Sequence, residues 1–259
     1  MSGPARFLSK DEAFAELTDL AANGVIKLEG SADANQVSLD GLDPDTGTPS
    51  DGNVAGVVIR YLPSGSRSPS LQPRGGNAPD RLDPRNALAL VRLCQWLRST
   101  FGVFELYHLG IDGGGTNQDG SPRVDCHGQG RAVDFAGVKG SSDGGEFALT
   151  VFDDWGTAKT ESTPDGGWPP DTGSAVGYRL DDPNADQFTA GFFRDTYAFI
   201  ASEWQDRSDR PDDADTPTSI GEGSFVMHPD HPTSAPGTKH GREAHRNHIH
   251  MQIGVTGTE

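Results

Sequence analysis

The chain has 259 residues, enough for one large domain or for a domain with an attached subdomain. Its 33% hydrophobic content can build a core, while 34 glycines and 18 prolines imply many turns and long loops. A net charge of -17 excludes nucleic acid and anionic membranes as simple electrostatic partners, because both call for a basic surface.

No run approaches the roughly 18 consecutive apolar residues of a membrane helix. The start, MSGPARFLSKDEAF, lacks the basic segment and apolar run of a secretory signal, so no classical export is expected. Cys94 and Cys126 form no CxxC pair, which argues against a thiolate zinc site, although the two could form one disulfide.

In chain order, Ser9 followed by Glu12 makes a capping box at a helix start. Ala13, Leu17 and Leu20 mark its buried face and Gly24 its stop. Residues 25–29 and 54–61 have the β-branched content of strands. Residues 64–80 show no apolar periodicity and read as a linker or long surface loop, which separates an N-terminal extension or subdomain, 1–63, from the remainder, 81–259. Asp83 as N-cap and Pro84 as first helical residue open the most regular segment. Ala87, Leu90, Val91, Cys94, Leu97 and Phe101 recur there at helical spacing until Gly102.

A strand is expected at 103–111 and another at 146–152, with the acidic loop 112–122 between them. That loop lacks the alternating Asp/Asn pattern of a calcium site and reads as a solvated turn. Residues 157–184 form a polar excursion. Asp186 caps a further helix whose stripe is Phe188, Phe192, Phe193, Phe199, Ile200 and Trp204, while 206–244 is again loop-like. The segment 247–255 alternates like a half-buried strand. Helices set among several strands and long loops predict an α+β fold.

Two segments carry chemistry. One is Cys126-His127-Gly128-Gln129-Gly130-Arg131-Ala132-Val133-Asp134; the other is His245-Arg246-Asn247-His248-Ile249-His250. His248 and His250, two apart on a strand, project from the same face, with Ile249, Met251 and Ile253 turned to the core. His127 and Asp134 can reach one ion from two sides. Two imidazoles and one carboxylate, with a fourth position for water, form a common catalytic zinc arrangement. His108 lies in an apolar strand and reads as structural, and no role is assigned to His228, His231 or His240. A serine or cysteine nucleophile has little support in the sequence.

The pattern H-x-x-G-x-A-x-D at His127, Gly130, Ala132 and Asp134, followed near the C-terminus by H-x-H, resembles the LAS metallopeptidases. These include the D-alanyl-D-alanine carboxypeptidases of the M15 type, the lysostaphin-like endopeptidases and the Hedgehog signalling domain. The resemblance covers mainly residues 87–137 and 245–254. It implies a small antiparallel sheet carrying the zinc ligands and packed against helices, with His127, Asp134 and His250 on Zn2+. It also implies that His248 polarises water or stabilises an oxyanion, with His245 as a second active-site candidate.

Asp125 stands where many relatives have Ser. Asn247 stands where carboxypeptidases place an acidic base, leaving His248 or Glu243 for that task and favouring an endopeptidase. Arg123 and Arg131 are both candidates to steer a substrate carboxylate. The implied substrates are peptidoglycan stem or cross-bridge peptides, hydrolysed at the cell wall after injection, lysis or non-classical export. A delivery system and an immunity protein are then the candidate protein partners. The alternative is a zinc-containing binding module of the same fold without catalysis.

Overall fold

The segment with the strongest helical periodicity forms the helix on which the rest of the fold is assembled. The structure is a computed structural model that describes residues 3–29, 32–42, 49–50, 52–62, 79–155, 186–204, 226 and 247–254. After a short 3-10 turn, Ala5–Phe7, come α1 (Lys10–Ala22), β1 (Lys27–Leu28), β2 (Leu39–Leu42), β3 (Pro49–Ser50), β4 (Asn53–Val54) and β5 (Val57–Tyr61). They are followed by α2 (Pro84–Phe101), β6 (Val103–His108), β7 (Ala132–Ser142), β8 (Gly145–Thr150), α3 (Val151–Asp154), α4 (Gln187–Glu203) and β9 (Ile249–Gln252).

All three expected caps close helix starts, Asp186 accepting the Thr189 N–H at 2.8 Å on α4. Ser9 and Glu12 form a reciprocal capping box on α1. On α2 the Asp83 carboxylate accepts the Arg85 N–H at 2.9 Å, and Pro84 occupies a position that needs no donor. Along α2 the stripe Ala87, Leu90, Val91, Cys94 and Leu97 is fully buried. Each leucine so buried contributes about 1.5–3 kcal/mol relative to exposure. The helix packs on the sheet strands β5, β6 and β7 and in turn against α1 and α4.

The central sheet has the order β4-β5-β6-β7-β8, and β9 also pairs with β7. Strand β7 is long enough to hold two neighbours along one edge: Gly137–Ser142 pair with β8, and Ala132–Phe135 with β9. β5 and β6 run parallel, as strands joined across a helix can, while the pairings of β6, β8 and β9 with β7 are antiparallel. The fold is therefore α+β, with a small mixed sheet packed against helices. The expectation of an antiparallel sheet holds for the strands around the site and not for β5–β6. A second sheet, β1-β2-β3, is antiparallel throughout.

A register shift between Tyr107 and His108 marks a bulge in β7 around Ala136. It reverses the alternation: Val133 and Phe135 face the core before it, and Val138 after it. The opposite face carries Asp134, Ala136 and Lys139. One face of the sheet thus closes the core while the other is left for polar chemistry.

Residues 64–78, 157–184 and most of 206–244 lie outside the described residues, and so do the sequence readings that fall there. No helix among the described residues is long and apolar enough to cross a membrane.

Candidate metal centre

Three pieces of chain meet at the polar face. His127 lies in a tight turn over 125–130, Asp134 in β7, and His248 and His250 at the start of β9. Asp134 and His250 are direct partners in the β7–β9 ladder, so their side chains leave the same face next to one another.

The His127 turn is built by local hydrogen bonds. Asp125 Oδ1 accepts the Gly128 N–H at 2.7 Å, and the His127 carbonyl accepts the Gly130 N–H at 2.9 Å. Gly130 has φ 68°, and a Cβ there would stand 2.2 Å from the Arg81 carbonyl oxygen, so glycine is required on both counts. Its own carbonyl accepts the Asp83 N–H and the Asn86 side-chain amide, each at 2.9 Å. Asn86 Oδ1 in turn accepts the Trp204 indole N–H at 2.8 Å. This buried polar chain ties the metal-site turn to α2 and to the end of α4.

Three imidazoles surround one carboxylate oxygen. Asp134 Oδ1 lies 2.8 Å from His250 Nδ1, 3.2 Å from His127 Nε2 and 3.4 Å from His248 Nε2. One ligand atom from each of His127, Asp134 and His250 lies within 4.8 Å of the other two. Donors of a tetrahedral zinc with bonds near 2 Å stand about 3.3 Å apart, so these residues fit the ion after small shifts, with Asp134 Oδ1 and His250 Nδ1 moving slightly apart. The rings of His127 and His250 meet edge to face at 5.1 Å. Gly110 leaves the space beside them open, since a Cβ there would sit 3.1 Å from Asp134 Oδ2 and 3.4 Å from the His127 ring.

The electrostatics suit a cation. Burial opposes the Asp134 charge, but His248 and His127, with hydrogen bonds from His127 and His250, hold its pKa well below the usual carboxylate range. His250 is likewise opposed by burial, yet the Asp134 hydrogen bond and charge, helped by Gln252, raise its pKa. His248 behaves differently: burial pushes it down to about 4, Asp134 opposing and the neighbouring imidazoles assisting, so it is neutral at pH 7. His248 Nδ1 lies 2.9 Å from the Asn247 side-chain oxygen, which can accept only if Nδ1 carries the proton. Nε2 is then a lone pair directed at the centre.

The structure brings His127, Asp134, His250 and His248 together; His245 and Glu243 lie outside the described residues, as do His228, His231 and His240. It also separates the two arginine candidates. Arg131 is buried, with its guanidinium on the Ile253 carbonyl at 2.9 Å and on Gln129, whereas Arg123 is partly exposed and pairs with Asp125 at 2.6 Å. Arg123 is the more accessible of the two.

Three neighbours have a place at the site that the sequence did not assign: His108 and Asn247, which it read otherwise, and Gln252, which it passed over. His108 is buried and driven down to about 4 by burial, Asp134 opposing and His127 assisting, so it is electrostatically part of the site's surroundings. Asn247 and Gln252 each hold an imidazole, and only Gln252 had a signal: it continues the same-face alternation His248, His250, Gln252. Gly140-Ser141-Ser142-Asp143-Gly144 spells G-x-S-x-G, but it forms the β7–β8 hairpin rather than a strand-to-helix elbow. Cys94 and Cys126 are both buried and are not joined in the disulfide that the sequence allowed. No protein-family model, curated protein or solved structure matches the chain, so the reading of this centre rests on its own residues.

Proposed function

We propose that the chain is a zinc-dependent peptidase of the LAS type. It acts on stem or cross-bridge peptides of peptidoglycan, as an endopeptidase rather than a carboxypeptidase. The observation that carries the reading is the convergence of His127, Asp134 and His250 on one point, with the neutral His248 aimed at the same carboxylate oxygen.

Zinc held by those three side chains supplies Lewis acidity, polarising a peptide carbonyl and letting water act as a nucleophile near neutral pH. His248 Nε2 takes the proton of the attacking water and delivers it to the leaving amine. Asn247 holds the ring in the tautomer that this requires. His245 is a second candidate to stabilise the oxyanion. Arg123, the more accessible of the two arginines, is the candidate for an acidic group on the substrate. The strongly acidic chain reaches the wall by injection, lysis or non-classical export, which makes a delivery system and an immunity protein its expected protein partners.

One observation favours a second reading, a zinc-containing binding module. Asn247 occupies the place of an acidic base and supplies no basic atom of its own. The test is metal analysis of the protein and of its His127→Ala and His250→Ala forms, followed by digestion of purified peptidoglycan. A peptidase gives about one zinc per chain, lost in both variants, together with newly exposed amino groups in the peptidoglycan. Zinc without cleavage selects the binding module. A parent that takes up no zinc on reconstitution overturns both.

A further inference from the structure

We infer that Gln252 is a positioning residue for the metal centre: it fixes His250 as the Nε2–H tautomer, so that His250 binds metal through Nδ1. The inference rests on the metal-site reading above and adds a residue that the H-x-H pattern does not include.

The geometry leaves one assignment. Gln252 is buried, and its Nε2 donates to the Gly254 carbonyl at 3.2 Å. That bond settles which end of the amide faces where, placing the carbonyl oxygen 2.9 Å from His250 Nε2. An amide oxygen only accepts, so His250 Nε2 carries the hydrogen. The lone pair is then on Nδ1, which is the nitrogen 2.8 Å from Asp134 Oδ1. Two acceptor atoms that close repel each other unless a proton or a metal ion lies between them. Gln252 thereby makes the His250–Asp134 pair a cation trap rather than a neutral hydrogen bond. An imidazole whose outer N–H is held in this way is also a more basic ligand.

The amide is anchored from behind. Arg131 Nη1 donates to the Ile253 carbonyl, and the Arg131 carbonyl accepts the Ile253 N–H, both at 2.9 Å. Gly254, at φ 77°, turns the chain directly over that guanidinium; a Cβ there would lie 2.3 Å from Nη1. Arg131 therefore pins the end of β9, Gly254 presents its carbonyl to the Gln252 amide, and Gln252 presents its oxygen to His250. This gives Arg131 a place in the support of the centre, distinct from contact with substrate.

Two measurements test the inference. The first is zinc affinity by chelator competition for the parent, Gln252→Leu and Gln252→Glu, with circular dichroism as the folding control. Loss of the acceptor in Gln252→Leu is expected to weaken zinc binding about 10- to 100-fold, and the carboxylate of Gln252→Glu to restore it to the parent level or better. A folded Gln252→Leu protein that binds zinc within about twofold of the parent would overturn the assignment.

The second needs no Gln252 variant. Long-range proton–nitrogen correlation NMR of the metal-free parent at about pH 8, with the His250 signal identified by its absence in His250→Ala, reads the tautomer directly. A protonated Nε2 is expected, and an unprotonated Nε2 with hydrogen on Nδ1 overturns the inference. Failure of the parent to bind zinc would sink the metal reading while this tautomer measurement still judged Gln252.

Discussion

At the scale of single residues, the proposed function separates side chains that could hold a cation from one that would move a proton. His127, Asp134 and His250 crowd around one point with a carboxylate held ionised, whereas His248 is neutral and turned by Asn247 so that a lone pair faces the centre. These roles predict different losses. His248→Ala is expected to keep its zinc and to lose peptide cleavage by about 10²–10⁴-fold, the usual worth of a general acid–base group. Zinc content and cleavage assayed on one sample check this, and loss of the metal itself would make His248 a ligand instead. The pattern H-x-x-G-x-A-x-D with H-x-H singled out His127, Asp134 and His250 through the resemblance it carries, and the fold brings them together by the β7–β9 pairing and the turn at 125–130. Gln252 and Asn247 act through single hydrogen bonds whose partners become evident only when the imidazoles have a direction.

At the scale of elements, the centre depends on a turn, two strands and the helix behind them. Asn86 on α2 is fully buried and bonds both the Gly130 carbonyl and the Trp204 indole. Asn86→Ala leaves two buried polar groups without these partners and is expected to destabilise the fold by about 2–3 kcal/mol, read by denaturant unfolding. Because Gly130 ends the His127 turn, weaker zinc binding should accompany the lost stability.

On the polar face of the sheet, β5, β6 and β7 contribute Arg60, Glu105, Tyr107 and Lys139. Arg60 pairs with Glu105 at 2.9 Å, Tyr107 donates to Glu105, and Lys139 approaches it at 3.7 Å. Burial opposes the Glu105 charge, but these partners together hold its pKa below the ordinary value of 4.5. The folded chain therefore binds fewer protons here than the unfolded chain in acid. The stabilisation is fully present above the unfolded pKa and is lost as pH falls through the lowered folded value. Metal-free protein should show this slope below about pH 4.5 in unfolding experiments, and Glu105→Gln should flatten it.

At the scale of the whole molecule, charge and layering dominate. A chain of net charge -17 repels itself, and the repulsion is screened by salt. The melting temperature should therefore rise as ionic strength increases from about 0.02 M to about 0.5 M, measured with metal-free protein so that zinc affinity does not enter. A melting temperature that falls with salt would mean that attractive ion pairs, such as Arg92 with Glu16 and Glu203, outweigh the net repulsion. The layering divides the sheet's work. α2 covers one face with α1 and α4 packed against it, leaving the opposite face of β7 and β9 free to carry the histidines.

The sequence by itself determined the three capped helices, the core stripe of α2, the alternation at β9 and the candidate set His127, Asp134 and His250, whose atoms the fold brings together. Each follows from local spacing: 3.6 residues per helical turn, two per strand repeat, and side chains that can cap a helix or bind an ion. Tertiary structure alone decided the rest. The parallel run of β5 beside β6 depends on where a crossover lands, and the bulge near Ala136 on how β7 meets two neighbours and a core at once. The burial of Arg131, which leaves Arg123 as the more accessible arginine, was equally invisible, because both stand in similar polar stretches and differ only in what packs around them. The same holds for the tautomers of His248 and His250, which are set by oxygens on Asn247 and Gln252 whose orientation only the folded strand supplies.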